Sequence, residues 1–568
     1  MSKNTEDKKE KRFYTQSDFL YERLNGQKSR KLGALLQVYA RASIEGDEEP
    51  ITVIKLKNLN GKVVTKHVPS IDLLTKQSVM TALVRKGYQL PGDKDKRNAI
   101  YEYISTARPK RRVIIVRRPG WIKGRYALPD TTIGQKPDDN PKIYFKPAAD
   151  AFQAKFGVGG TLEEYKNTFG RYALCSTTML FSMSFALAAA LIGLCGLEGG
   201  GVHLFAHTTV GKTLAELAAR SVSGEATRDD LEKWRTTPNA LEAVAYAYNH
   251  SLLCLDDTSQ LPADTLKRAA IMREVAYELA NGQGKLRLGT AKMNWNIFFI
   301  SNGEEAIAAI VKDSGAERLG GEEVRLADLP CNIHAENGIF ESLMPRWKNF
   351  DDAVAAIENA SRKYYGTPLR AFLEVIAKYP NRTKKDVRAL MAEFMDLALI
   401  GKDKWEQRFA KKFAAAYAAG VLAARFEIFP WKEKHVEHAV LACYTRARAA
   451  IPDMDTLIER AMKTFTQSLA DEEKVLDLRK MKQKHREKLR PVAGLGFIRS
   501  RPELGSHLVI RPDDFQKWFD RAQDAQLALQ QLDKLGKLKR DPTNSSLPTR
   551  QVLMPWGGPK LRYYVISI

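Results

Sequence analysis

Two clusters in the middle of the chain have the residue types and spacing that handle a nucleoside triphosphate. The first is Ala206-His207-Thr208-Thr209-Val210-Gly211-Lys212-Thr213, set between an apolar run at 202–205 and an amphipathic one at 214–222. A strand, a tight loop ending Gly-Lys-Thr and then a helix is the layout of a phosphate cradle. Loop N–H groups, those of Thr209 and Gly211 among them, attract phosphate oxygens together with the helix N-terminus. Lys212 reaches the β- and γ-phosphates, and the Thr213 hydroxyl is a ligand for Mg²⁺. The motif normally opens with Gly, and Ala206 stands there. A methyl is tolerated at that place if φ is negative. The second cluster is Leu252-Leu253-Cys254-Leu255-Asp256-Asp257, an apolar strand ending in paired acids. Asp256 would hold Mg²⁺ through water and Asp257 would polarise the attacking water.

A third apolar strand, 296–301, ends at Asn302. A polar side chain there would contact the γ-phosphate or the lytic water. The alternative is an N-cap for a helix at 304–312. Between the second and third strands lies Asn281-Gly282-Gln283-Gly284-Lys285-Leu286-Arg287-Leu288-Gly289. As a hairpin projecting into the channel of a ring, this segment would set Lys285 first, and Arg287 second, on a DNA backbone. The plain alternative is a solvated glycine turn. An oligomeric ATPase also needs a cation from the neighbouring subunit to stabilise transition-state charge. Arg318 and Arg325 both follow the third strand, and Arg325 lies on the more ordered-looking segment. A salt bridge to Asp328 or Glu322 is its structural alternative. The segment Trp234-Arg235-Thr236-Thr237 suits either packing beneath the nucleotide or ordinary core.

The elements that position these residues follow from composition and periodicity. A chain of 568 residues holds several domains. Its formal charge of +23 and pI of about 9.5 point to a polyanionic partner, nucleic acid before membrane. The five cysteines show neither CxxC spacing nor a Cys/His cluster, so zinc and disulfides are not implied and a cytoplasmic setting fits. Residues 173–196 are uncharged but contain several hydroxyls and run into the cradle strand. They read as a buried helix rather than a membrane span. The chain divides into 1–45, a basic tail and helix; 46–160, a mixed β-rich domain; 161–335, a P-loop α/β ATPase core; 336–485, a helical region; and 490–568, a winged-helix-like module. In the last, 551–566 reads as a hairpin turning at Trp556-Gly557-Gly558-Pro559. Lys537, Lys539, Arg540, Lys560 and Arg562 give this module a surface for duplex DNA.

Several motifs together resemble a family first catalogued as a domain of unknown function. They are Pro119-Gly120-Trp121, Tyr126-Ala127-Leu128-Pro129-Asp130, Leu197-Glu198-Gly199-Gly200-Gly201, Trp234-Arg235-Thr236-Thr237, Ala280-Asn281-Gly282-Gln283-Gly284-Lys285 and Glu323-Val324-Arg325-Leu326-Ala327-Asp328. Members sit on phages, plasmids and integrative elements. Some are self-loading helicases similar to minichromosome-maintenance proteins. The resemblance implies a multidomain chain with an AAA+ core, a homo-hexameric ring and a C-terminal winged helix. It places Lys212 and Thr213 in the cradle, Asp256 and Asp257 as paired acids, Asn302 as sensor, Lys285 in the channel hairpin and Arg325 as finger. The expected activity is ATP- and Mg²⁺-dependent translocation on DNA, single-stranded in the channel, as a replicative helicase. The alternative is a nucleotide-gated initiator that assembles on DNA without unwinding it. A P-loop enzyme acting on a small molecule fits the basic excess poorly.

Overall fold

The computed structural model describes residues 12–24, 28–46, 49–148, 151–234, 238–285, 293–315, 318, 320–451, 454–489, 494–519, 522–542 and 544–568. The chain forms two compact units, Met1–Ala447 and Arg448–Ile568.

The first unit opens with β-structure. Phe13–Gln16, Phe19–Arg23 and Ser29–Ala34 make an antiparallel three-stranded sheet. Leu36–Ile44, Pro50–Lys57 and Val63–Pro69 form a meander, and Arg112–Val116 and Lys142–Phe145 add parallel strands beyond Leu36–Ile44. The described part of residues 1–45, expected to hold a helix, is therefore strands joined by turns. Leu36, Val38, Ala40 and Ala42 alternate as buried residues, the period of a strand. A register shift between Val38 and Ala40 sends the buried side chains of Leu36–Ile44 to the opposite face of the sheet. Before it, Leu36, Val38, Ile54 and Leu56 pack under the helices Lys76–Val84 and Lys94–Thr106. After it, Ala40, Ala42, Ile51, Val53, Val113 and Ile115 form a separate cluster.

The short strands Gly120–Ile122, Arg125–Ala127 and Thr132–Ile133 join this part to the core. The Trp121 N–H donates to His250 Nδ1 (3.0 Å) and its indole to Ala190 O (2.7 Å). Gly120 has φ 124°, and a Cβ there would lie 2.5 Å from His250 Nδ1. Pro119-Gly120-Trp121 is thus a docking joint, seated just before the strand that carries the paired acids.

The core is a five-stranded parallel sheet of β1 (Gly200–Phe205), β2 (Glu232–Lys233), β3 (Leu252–Asp256), β4 (Phe298–Gly303) and β5 (Leu326–Pro330), in spatial order β2-β3-β4-β1-β5. Its helices include α1 (Thr177–Cys195), α2 (Lys212–Ser221), α3 (Thr265–Asn281), α4 (Gly320–Arg325), α5 (Phe350–Ser361) and α6 (Lys404–Arg425). α1 is long and apolar enough to cross a membrane but is 89% buried inside the fold. Ser176 caps its start, and its Phe181 stacks on Phe413 of α6 with centroids 5.4 Å apart. Further helices at Thr367–Lys378, Pro380–Leu397 and Glu433–Ala449 complete the helical region.

The second unit holds a five-stranded sheet in the order Val475–Asp477, Gly496–Arg501, Gly505–Ile510, Leu561–Ser567, Arg550–Val552. Helices Met454–Ala470 and Ala522–Lys534 cover one face, with Phe465, Leu508, Trp518 and Ile566 in the core. The hairpin expected at 551–566 is present, as the edge of this larger sheet. The unit starts well before residue 490 because Val475–Asp477 pairs with Gly496–Arg501 and Phe465 packs under the same sheet. Both belong by sequence to the stretch read as the helical region.

Candidate functional site

The cradle forms where β1 meets α2. Gly211, φ 101°, caps α2 in a left-handed conformation, and Thr209 takes φ 62°. Gly serves the first at no steric cost, and a Cβ there would sit 3.1 Å from Ile339 Cγ1. Ala206 is not among the residues with positive φ, so its methyl is accommodated. Lys212 is 8% exposed, and its Nζ donates to Ala206 O and His207 O, both at 2.7 Å. Burial lowers its pKa. The loop thus closes around the ammonium, and an entering phosphate competes with two carbonyls for it.

The paired acids lie at the end of the neighbouring strand β3. The Thr213 hydroxyl is 3.4 Å from Asp256 Oδ1. Asn302, ending β4, donates from Nδ2 to Asp256 Oδ1 (2.8 Å) and to Glu216 Oε2 (2.6 Å), and accepts the Asp257 N–H on Oδ1 (3.2 Å). Asn302 therefore bridges the cradle helix and both acids. It caps no helix: the following one starts at Ile307, and Asp328 accepts the N–H groups of Ile307 and Ala308. Asp257 takes φ 62° and accepts the Ser259 N–H (2.9 Å). Burial pushes its carboxyl up, but hydrogen bonds from the Ser259 hydroxyl and N–H and from Gln260 carry it below its ordinary value.

Three charged residues that the motif reading passed over complete the site. Lys233 Nζ lies 2.6 Å from Asp256 Oδ2. Glu216 is fully buried, and burial, then Asp256, raises its pKa well above the ordinary value. That favours a neutral carboxyl whose Oε1 finds no protein partner among the described residues. Arg228 borders the cleft and pairs with Glu358 at 2.9 Å. Glu216 was the most findable, four residues past Lys212 on the apolar side of an amphipathic helix. The other two belong to no motif. The cleft itself measures about 500 Å³, with Phe350 and Val354 of α5 as an apolar border. Its volume, loop N–H groups and buried Lys212 fit a nucleoside triphosphate. Thr213 and Asp256 present the hard oxygen donors that suit Mg²⁺.

The remaining candidates lie elsewhere. Arg325 ends α4, before the N-terminal end of β5, whereas the cleft lies at the C-terminal ends of the strands. Its guanidinium donates to Asn281 Oδ1 (3.2 Å) and Gly321 O (2.8 Å) and stacks over Tyr277 (4.4 Å). Asp328 pairs instead with Arg318 at 2.6 Å, both nearly buried, and Glu322 pairs with Arg273. After α3, the described residues 283–284 pair with 293–294. Gln283 bridges Asn294 antiparallel, and the Gly284 N–H donates to Met293 O (2.9 Å). Lys285 is half exposed and its Nζ rests on Glu274 (2.6 Å) and Glu278 (3.1 Å). Arg287 and Arg235 to Thr237 lie outside the described residues. Trp234 is core, its indole donating to Ser301 Oγ (3.0 Å).

In the second unit the basic candidates fall into two groups. Lys537 and Lys539 flank Leu538, which bridges Ile566 near the end of Leu561–Ser567. Lys560 and Arg562 lie at that strand's start and are exposed. Arg540 is paired with Asp533.

Fold and site together define a multidomain α/β chain with mixed sheets, many helices and a polar cleft at the C-terminal ends of parallel strands. A family model described as a domain of unknown function (DUF927) matches residues 22–292, just under half of the chain. A solved structure of SCCmec type IV Cch, described as an active helicase, shares the fold. It has a TM-score of 0.64 at 16% identity, over 98% of this chain and 97% of that one. NtrX from Brucella abortus in complex with ATP aligns over 70% of this chain and 86% of that one, at 10% identity. Its TM-score of 0.17 carries no argument. No curated protein matches the sequence.

Proposed function

We propose that this chain is an ATP-driven ring translocase on DNA, serving as a replicative helicase of a phage or integrative mobile element. Its core would be a P-loop AAA+ ATPase, working as a homo-hexamer, with the second unit as a winged-helix-like DNA-binding module. The observation that carries this reading is that Lys212, Thr213, Asp256, Asp257 and Asn302 line one cleft, the last four joined by hydrogen bonds. The helicase fold supports it at the level of the whole chain.

In this reading Lys212 exchanges its two loop carbonyls for phosphate oxygens and neutralises their charge. Thr213 and Asp256 would hold Mg²⁺, which supplies further charge neutralisation on the phosphates. Asp257 orients the attacking water, and Asn302 links its position to Asp256. Arg325 faces the neighbouring subunit's cleft. Lys285 leaves its carboxylates for the DNA backbone as the hairpin moves.

The test measures Mg²⁺-dependent ATP hydrolysis beside strand displacement. Lys212→Ala is expected to lose nucleotide binding, and Asp257→Asn to bind ATP but lose turnover. Lys285→Ala should keep basal hydrolysis and lose DNA stimulation and unwinding together. Parental hydrolysis in both nucleotide-site variants would move the site elsewhere. DNA binding and hydrolysis without strand displacement would favour the initiator alternative.

A further inference from the structure

A second cavity lies in the N-terminal sheet, built from the two edges that a flat sheet would hold apart. His67 sits on the edge strand Val63–Pro69, and Lys146 directly follows the opposite edge strand Lys142–Phe145. Lys146 Nζ donates to His67 Nδ1 at 2.8 Å. The sheet therefore curls until its edges meet, which the bulge in its central strand favours. Between the edges is a cavity of about 390 Å³ floored by Ile44, Ile51, Ile115 and Pro147, with Arg117 also in its wall. These isoleucines continue the cluster of Ala40, Ala42, Val53 and Val113 to the surface. Tyr144 is 55% exposed, with its ring centroid 6.5 Å from that of His67.

The charged side chains that line this mouth are of one sign, Arg117 and Lys146. Lys146, Lys66 and Lys86 act on His67, and Lys86, Lys66 and Arg117 act on Lys146. Burial first, then Lys146 and the other lysines, push His67 down to about 4, and burial, then Lys86, Lys66 and Arg117, hold Lys146 below its ordinary value. No carboxylate among the described residues lines the cavity. Gathering like charges beside an apolar wall is unfavourable in the free protein, and an anion relieves it. An apolar floor with an exposed aromatic ring suits an unstacked base, which duplex DNA does not offer.

We propose that this mouth binds single-stranded DNA, taking a base against Tyr144 and the isoleucine floor and the flanking phosphates on Arg117 and Lys146, which line it, while Lys66 and Lys86 add to the field at the sheet edge. The proposal rests on the translocase reading only for its choice of polyanion. The residues are separate from the ATP cleft and from the hairpin at Lys285. Stacking of bases on aromatic rings together with a basic track is how sequence-tolerant single-strand binding is built.

The experiment follows the fluorescence anisotropy of a labelled oligothymidylate with the full chain over a series of salt concentrations. Replacing Arg117 and Lys146 together by Gln should weaken binding about fivefold or more and flatten the salt dependence by about 1.4, at about 0.7 per phosphate contact. Tyr144→Ala should weaken single-strand binding about fivefold or more with the salt slope intact. Thermal melting and binding of a labelled ATP analogue should match the parent for both variants. If the parent binds oligothymidylate and both variants bind like it, this inference falls and the translocase reading stands. If the parent binds neither single nor double strands, both fall. If duplex affinity drops as far as single-strand affinity while Tyr144→Ala has no effect, the site is a phosphate contact for duplex, and the single-strand assignment is overturned.

Discussion

The polar cleft of the first unit and the basic surface of the second use the same kind of side chain in opposite ways. In the cleft the lysines have fixed partners: Lys212 is buried between two carbonyls, and Lys233 sits on Asp256. In the second unit Lys537, Lys560 and Arg562 are exposed, and Lys537 is set at the far end of a strand from the other two. A site of the first kind depends on placement, so one substitution breaks it. A surface of the second kind depends on summed charge, so each residue contributes a share. The structure predicts this contrast for every assay that reads both regions.

The largest expected effect tests whether placement extends across subunits. Arg325 precedes β5, and the five residues Leu326–Pro330 run from there toward the cleft end of the sheet. At about 3.3 Å per residue that is roughly 16 Å, too far for an arginine to span within one subunit. Arg325→Ala should lower ATP turnover by about 10³-fold or more, the range of an arginine finger. Mixing it with Lys212→Ala subunits, which keep the finger, should restore part of the activity at shared interfaces. Mixed rings that form but stay inactive would count against the role. Arg318 is the poor alternative, being buried on Asp328. Arg318→Ala should lower the melting temperature whatever its effect on turnover.

A smaller effect tests whether the partners inside the cleft compete with its ligands. Lys233 occupies Asp256 Oδ2 at 2.6 Å, so a divalent ion that uses Asp256 must work against that ion pair. Lys233→Met should raise Mn²⁺ affinity of the nucleotide-free protein by several-fold, read by electron paramagnetic resonance. Unchanged or weaker Mn²⁺ binding would mean that Lys233 supports the acid rather than competing for it.

What the sequence made legible follows the same division. Cradle, paired acids and Asn302 stand at the ends of strands whose apolar runs are visible, and a short loop can place them in few ways. Lys233 was not legible because its partner comes from β3, and strand pairing across a sheet leaves no local spacing. Residues 36–42 misled for another reason. Ala40 and Ala42 favour helix intrinsically, and only their alternation with Gln37, Tyr39 and Arg41 marks the strand. Burial in the sheet decided the conformation over propensity. The hairpin at 551–566 was readable from its turn residues. The sheet it joins was not, since Val475–Asp477 lies far upstream and pairs in parallel.

The smallest expected effects lie on the second unit, and they separate free charge from charge already used. Lys560 is exposed, so on duplex DNA it adds one phosphate contact to the total. Lys560→Ala in the full chain should reduce the magnitude of the salt slope by about 0.9 and weaken binding only a few-fold. Arg540 carries the same formal charge, but Asp533 holds it through two hydrogen bonds, and Ser545 O takes a third. To reach a phosphate it must give up that carboxylate, so the pair presents almost no net field to DNA. Arg540→Ala should leave the salt slope nearly unchanged and should instead loosen the turn between Asp533 and Ser545. Equal slopes lost at Lys560 and Arg540 would show that DNA draws Arg540 off Asp533. This surface would then rearrange around its ligand much as the loop around Lys212 must do for phosphate.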